Sequence, residues 1–147
     1  MMAKEIVALD AFDRVAGIPT AGIPFSSVLS FQLQKPFLYL RKTEKEHGTG
    51  KRIEGLLLPG DRVLLVDDLV TTGQSLLDST DKLRAEGAVV EEALVLIDRE
   101  EGGIRSLAKK GVTVHALLKI SEAAQILFDM GRIDERERNA ILKQKKT

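Results

Sequence analysis

The chain contains no cysteine, which removes disulfides, thiolate metal sites and cysteine nucleophiles from consideration. It carries no net charge, with 22 Lys and Arg against 22 Asp and Glu. A general nucleic-acid or membrane surface is therefore not expected, although a local basic patch is compatible with that balance. Its two histidines, His47 and His115, stand too far apart in the chain to suggest a metal pair. No apolar run approaches membrane-spanning length, and Met1-Met2-Ala3-Lys4-Glu5 lacks the apolar stretch of a secretory leader. What remains is a chain of 147 residues, 44% hydrophobic and 30% charged. That is the make-up of one globular domain able to bury a core without cross-links, and the cytoplasm is its expected location.

Short Val-, Leu- and Ile-rich runs recur at Arg14–Ile18, Phe37–Leu40, Arg62–Val66, Ala93–Ile97 and Val112–Leu118. Each has strand length and is apolar on both faces, as a central parallel sheet requires. Helical patterns lie between them. Phe25, Val28, Leu29 and Leu33 share one face, and Leu76, Leu77, Thr80 and Leu83 form a second stripe closed by Gly87. A shorter helix is expected over Ile104–Lys110, another from an N-cap at Ser121 to about Met130, and a polar one after Asp134. Such alternation predicts an α/β fold with a mostly parallel sheet flanked by helices.

The most informative run is Val63-Leu64-Leu65-Val66-Asp67-Asp68-Leu69-Val70-Thr71-Thr72-Gly73-Gln74-Ser75. A buried strand ends in two carboxylates, hydroxyls follow, and a helix begins at once. Ser75 could simply cap that helix. A carboxylate turned toward the sheet interior, however, costs several kcal/mol without a partner, so structure alone is a poor reason for it. The first N–H groups of a helix lack internal acceptors, and the dipole there favours an anion, so the hydroxyl-rich turn suits a phosphate. The aspartates would repel that phosphate but suit the vicinal hydroxyls of a sugar. Together they describe a ribose 5-phosphate site, at the strand ends where α/β sheets bind ligands.

Three other segments bear on chemistry. Arg41 to Arg52 has no apolar residue, is rich in Lys and Arg and holds Gly48 and Gly50. It predicts a mobile basic surface loop whose cations could neutralise a polyphosphate. It is not a nucleotide P-loop, because position 45 is Lys and position 52 is Arg where that motif needs Gly and Ser or Thr. Gly17-Ile18-Pro19-Thr20-Ala21-Gly22-Ile23-Pro24 could bring backbone N–H groups close to an anion, or could be a plain tight connection. In Asp98-Arg99-Glu100-Glu101-Gly102-Gly103, Arg99 could grip a carboxylate or pair with a neighbouring acid.

Val63–Ser75 resembles the phosphoribosyl-pyrophosphate (PRPP) signature of the type I phosphoribosyltransferases. Arg41-Lys42, Lys45 and His47-Gly48, followed by Ile53-Glu54-Gly55, resemble the catalytic loop of one branch, the orotate phosphoribosyltransferases. Asp98–Gly103 and the Gly17–Pro24 turn are similar to that branch as well, so the resemblance covers about Asp13 to Leu118. It implies a Rossmann-like type I phosphoribosyltransferase core. It also implies transfer of the 5-phosphoribosyl group from PRPP to orotate, giving orotidine 5′-monophosphate and pyrophosphate in pyrimidine and UMP biosynthesis.

By resemblance, Asp67 and Asp68 hold the ribose hydroxyls, and Leu69 and Val70 continue the PRPP-binding run. Thr71, Thr72, Gly73, Gln74 and Ser75 wrap the 5-phosphate, with Thr71 also near the base. Thr20, Ala21 and Gly22 face the pyrophosphate. Arg41, Lys42, Lys45 and His47 contact pyrophosphate, some of them across a homodimer interface, and Arg99 binds the orotate carboxylate. Lys45, His47 and Asp68 are the expected catalytic residues. Mg²⁺ is the implied cofactor, held mainly through PRPP rather than by protein ligands. No nucleic acid or membrane partner is implied.

In that family several tens more residues precede the strand at Arg14 and form a hood over the base. Here about a dozen precede Asp13, with Ile6, Val7, Leu9 and Phe12 spaced as one amphipathic helix. The expectation is one phosphoribosyltransferase domain over residues 1–147 with the hood largely absent. A non-catalytic PRPP-binding sensor and a phosphoribosyltransferase for another base are the alternatives. Lys45 and His47 weigh against the first, and the Arg41–Gly48 loop with Arg99 weighs against a purine.

Overall fold

The computed structural model describes residues 12–41 and 53–143. Lys42, Lys45 and His47, and Ile6, Val7 and Leu9 at the N-terminal end, lie outside the described residues. Six strands occur among the described residues: β1 (Arg14–Gly17), β2 (Phe37–Leu40), β3 (Ile53–Glu54), β4 (Arg62–Val70), β5 (Val89–Asp98) and β6 (Thr113–Lys119). Five helices accompany them: α1 (Gly22–Leu33), α2 (Gln74–Ala85), α3 (Gly103–Ala108), α4 (Ile120–Asp129) and α5 (Glu135–Lys143). The strands form one sheet in the order β3-β2-β1-β4-β5-β6. Neighbours run parallel except β2 and β3, which pair antiparallel. The chain moves outward from β1 to β2 and β3, then returns to β4 and winds the other way. The switch point is thus between β1 and β4.

The apolar strands face two cores. Leu64 and Val66 of β4 join Phe12, Val15, Leu29 and Leu94 in one, while Val63 and Leu65 join Ala16, Leu38, Ala93, Val95, Leu76 and Leu83 in the other. Adjacent strand residues point to opposite faces, so a sheet covered on both sides needs an unbroken apolar run. At the amino edge, Arg14 of β1 is ion-paired with Asp61, their side chains only 10% and 13% exposed. Burial alone would push the Asp61 carboxyl up, but hydrogen bonds from Arg14 and the Leu58 N–H, with the Arg14 charge, hold it below its ordinary value.

Several expected elements change on inspection. The buried face of α1 is Gly22, Ser26, Leu29 and Ser30, whereas Phe25 and Val28 are exposed. Small residues let this helix lie close to the sheet, and Ser26 returns its hydroxyl to the Gly22 carbonyl at 2.8 Å. β4 continues through both aspartates to Val70 instead of ending at Val66, because β5 supplies it with a ladder as far as Asp98. α4 is capped at Lys119 rather than at Ser121. The Glu122 carboxylate reaches back to the Lys119 N–H at 3.0 Å, while the Ser121 N–H donates to Glu100. Asp134 does cap α5, exchanging hydrogen bonds with Glu137 at 2.8 Å in both directions. Leu76, Thr80 and Leu83 of α2 are buried as the stripe requires, and Gly87 follows with φ 86°.

Candidate active site

β4 outruns β1. Their pairing stops at Gly17 opposite Val66, and the Ile18 N–H makes one more bond to the Val66 carbonyl at 3.1 Å. The Pro19–Ala21 turn then leads away into α1, so Asp67 to Val70 keep β5 on one side and face a cleft on the other. This places the acids at the carboxyl edge of the switch point. The cleft has a volume of about 210 Å³. Its walls are Pro19, Thr20 and Ala21 on the β1 side and the continuous run Asp67 to Leu76 on the other.

Asp67 is the inward acid, 8% exposed, while Asp68 is half-buried. Burial raises the Asp67 pKa from 3.8 to about 7. The Asp68 N–H, donated to Asp67 Oδ1 at 2.9 Å, works against that rise, and the neighbouring Asp68 carboxylate adds to it. Gly22 backs the acid directly. A Cβ there would stand 2.6 Å from the Val66 carbonyl oxygen and 3.0 Å from the Asp67 carboxylate. Glycine at this place lets the start of α1 close onto the strand.

The turn Thr71–Gly73 leads straight into α2, which no side chain caps. Its first N–H groups therefore have no intrahelical acceptor and border the cleft with the hydroxyls of Thr71, Thr72 and Ser75. The Gln74 side chain donates to Asp78 Oδ1 at 2.6 Å along the helix, so its backbone N–H is the group it offers to the cleft. From behind, the Gly103 N–H donates to the Thr71 carbonyl and the Arg99 N–H to the Val70 carbonyl, each at 2.9 Å. A Cβ on Gly103 would lie 2.5 Å from that Thr71 oxygen and 2.8 Å from the Gly73 nitrogen. This buttress was missed by sequence reasoning, which saw Gly102-Gly103 only as part of a motif.

Thr20, Ala21 and Asp67 to Ser75 are thus gathered around one cleft, with Pro19 and Leu76 completing the lining. Gly22 packs behind the cleft instead of lining it. Arg99 shares the carboxyl edge but its guanidinium lies 3.2 Å from Glu101, outside the lining. Arg41 follows β2 at the same edge, and its guanidinium is ion-paired with Glu54 of β3. Among the described residues no group of three or more His, Asp or Glu side chains is arranged to hold a metal ion, and no helix is long and apolar enough to cross a membrane.

Two acids, a hydroxyl-rich turn and an uncapped helix start, converging on a switch-point cleft, mark the phosphosugar-binding class of α/β proteins. The phosphoribosyl transferase domain family matches residues 2–124. The chain belongs to that family, and its relatives place it on the orotate phosphoribosyltransferase branch. It is 42% identical over 127 residues to the orotate phosphoribosyltransferase of Cenarchaeum symbiosum, covering 86% of this chain and 64% of that protein. With the enzyme of that name from Pyrococcus abyssi it shares 44% identity over 111 residues, 76% of this chain and 61% of the relative. The crystal structure of orotate phosphoribosyltransferase from Aeropyrum pernix superposes with a TM-score of 0.75 at 37% identity, over 89% of this chain and 73% of that one. The chain therefore spans somewhat less than two thirds of the length of the first two relatives.

Proposed function

We propose that the chain transfers the 5-phosphoribosyl group from PRPP to orotate, releasing pyrophosphate and forming orotidine 5′-monophosphate. The single observation that carries this reading is the cleft itself, with buried and half-buried aspartates beside hydroxyls and free helix N–H groups. Relatives that carry the orotate phosphoribosyltransferase name supply the identity of the base.

The reaction forms a bond from the ribose anomeric carbon to a ring nitrogen of orotate, which gives up its proton to the departing pyrophosphate or to solvent, and breaks the bond from that carbon to pyrophosphate oxygen, whose electron pair leaves with pyrophosphate. Its transition state has oxocarbenium character, as in glycoside hydrolysis. No protein nucleophile is required, so the chain's work is to orient the sugar and stabilise the leaving charge. Thr71, Thr72 and Ser75, with the N–H groups of Gly73 and Gln74, hold the 5-phosphate. Asp67 and Asp68 take the ribose hydroxyls, with Leu69 and Val70 carrying the strand between acids and turn. Thr20 and Ala21 face pyrophosphate across the cleft, and Arg41, Lys42, Lys45 and His47 neutralise it. Arg99 takes the orotate carboxylate. The carboxylates of Asp67 and Asp68 at the cleft are hard oxygen donors of the kind Mg²⁺ takes, and PRPP oxygens would supply the rest of its ligands. When bound, Mg²⁺ offsets charge on the departing pyrophosphate. Loop cations shared across a homodimer complete this reading, and activity that falls on dilution is its check.

The direct test is loss of orotate absorbance on mixing the chain with PRPP and Mg²⁺. Turnover that disappears with a chelator supports the reading. PRPP binding without turnover on any base would transfer support to a sensor of PRPP. Lys45→Ala should lower kcat by far more than it weakens PRPP binding, and equal losses in both would remove Lys45 from the reacting centre.

A further inference from the structure

Three strand ends stand level at the carboxyl edge of the sheet. Val70 of β4 is opposite Asp98 of β5, and Asp98 is opposite Lys119 of β6. The turn that leaves β5, residues 98–103, therefore lies between the cleft-lining end of β4 and the start of α4. Toward β4 it gives two backbone N–H groups. Arg99 donates to the Val70 carbonyl and Gly103 to the Thr71 carbonyl, each at 2.9 Å, and both acceptors belong to residues that line the cleft. Toward α4 it gives a side chain, the Glu100 carboxylate, which accepts the Ser121 N–H at 3.1 Å.

Glu100 makes that contact from a disfavoured backbone conformation. Its φ is 57°, in the left-handed region that glycine, asparagine and aspartate enter more readily than other residues. Gln34 is the other non-glycine residue with positive φ among the described residues, and it closes α1, where left-handed backbone is ordinary. Glu100 ends no helix. Its N–H donates to Oδ1 of the buried Asp98 at 2.8 Å, which shapes the turn. The turn alone would be served better by glycine or asparagine. What a glutamate adds is the reach to Ser121, and a backbone outlier kept for such a contact points to a use.

We infer that Glu100 is a positioning residue for the phosphate turn: its carboxylate clamps residues 98–103 to the first turn of α4, and the clamped segment holds the Val70 and Thr71 carbonyls from behind. Affinity at the hydroxyl-rich turn thus depends on a side chain outside the cleft lining. For the chemistry of the ligand, a sugar 5-phosphate, the inference rests on the phosphoribosyl-transfer reading. For the direction of its effect it rests on the strand register and the hydrogen bonds. A merely structural Glu100 predicts instead that affinity follows stability from variant to variant.

Two substitutions set stability against affinity. Glu100→Asn suits left-handed backbone but falls one carbon short of Ser121, whereas Glu100→Gln keeps the reach and an acceptor oxygen. Thermal melts should place the Asn variant level with the Gln variant or above it. Calorimetric titration of ribose 5-phosphate into the full chain should rank them the other way. Binding is expected to weaken about two- to tenfold in the Asn variant, the range for one lost hydrogen bond, and to stay within about twofold of the parent in the Gln variant. Glu100→Gly also relieves the backbone and should repeat the Asn result, which keeps the test open should the Asn variant fold poorly. Parent-like affinity in the Asn and Gly variants, equal losses in the Asn and Gln variants, or losses that track the melting temperature overturn the inference. A parent chain that binds ribose 5-phosphate but turns over no base would sink the phosphoribosyl-transfer reading alone, and the ranking of the variants would still decide the role of Glu100. A parent chain that does not bind ribose 5-phosphate removes the 5-phosphate site, and the inference with it.

Discussion

The Asp67 carboxylate accepts the N–H of Asp68 at 2.9 Å, yet its pKa still rises to about 7 because burial outweighs that bond. In the unfolded chain the group returns to about 3.8. Between these values the folded state holds the extra proton, so the stabilisation is complete below pH 3.8 and is lost as pH rises through 7. Asp67→Asn should therefore stabilise the fold at pH 8, by on the order of 2 kcal/mol, and much less at pH 4. Urea midpoints at the two pH values measure this. An equal change at both would mean that ionisation of Asp67 is not the cause. The same variant should lose PRPP affinity, so the carboxylate is kept at a cost in stability.

The contact between Gly103 and Thr71 leads to a second prediction. With the Gly103 Cα position fixed by its N–H bond to Thr71, an added Cβ meets the Thr71 oxygen at 2.5 Å and the Val70 side chain at 2.6 Å. These neighbours are the turn backbone and a buried valine, which cannot rotate away. Gly103→Ala should cost about 1–3 kcal/mol in stability and displace the turn proposed to cradle the 5-phosphate. PRPP binding should weaken more than tenfold although residue 103 does not line the cleft. A loss of stability with unaltered PRPP affinity would confine Gly103 to packing.

Arg14 and Asp61 supply a control from the other end of the sheet. Their pair is nearly buried at the amino edge, remote in register from the Gly17–Val66 end where the cleft opens. Asp61→Ala leaves the Arg14 guanidinium with no counter-charge from Asp61 and should cost about 2–3 kcal/mol. Because the folded-state pKa of Asp61 is lowered, its contribution is present above the unfolded value of 3.8 and fades as pH falls through the folded value. Thermal melts should show the deficit at pH 7 shrinking toward pH 3, with PRPP affinity at pH 7 unchanged.

The strands β1, β2 and β6 were legible to within one residue because apolar runs buried on both faces have no other stable placement. β4 and β5 were longer than their apolar runs, since a ladder partner, not hydrophobicity, sets where a strand ends. The site run Asp67 to Ser75 was legible as a unit because every member is local in sequence, and the structure gathers it unchanged around the cleft. What remained hidden was long-range. Gly103 behind Thr71 and Glu54 beside Arg41 follow from strand order, which no local pattern encodes. The face of α1 was misread for a related reason. Ser26 and Ser30, which look polar, are the residues small enough to meet the sheet, and they leave Phe25 and Val28 outside.

On the proposed reading, Arg99 is the residue that separates recognition of the base from recognition of the phosphosugar. Its N–H anchors it to the Val70 carbonyl at the end of the acid-bearing strand, while its guanidinium stands 3.2 Å from Glu101. A planar carboxylate on the incoming base can engage the guanidinium bidentately, a geometry that a lysine cannot reproduce. The residues proposed to hold PRPP, along Asp67 to Ser75, at Thr20 and Ala21 and in the basic loop from Arg41, do not include Arg99. Arg99→Lys should thus raise KM for orotate by about tenfold or more, while the PRPP dissociation constant stays within about twofold of the parent. Uracil, which lacks the carboxylate, provides the complementary measurement. Its poor turnover should be the same in parent and variant, and a parallel loss with uracil would assign Arg99 to the shape of the strand end instead of to the carboxylate.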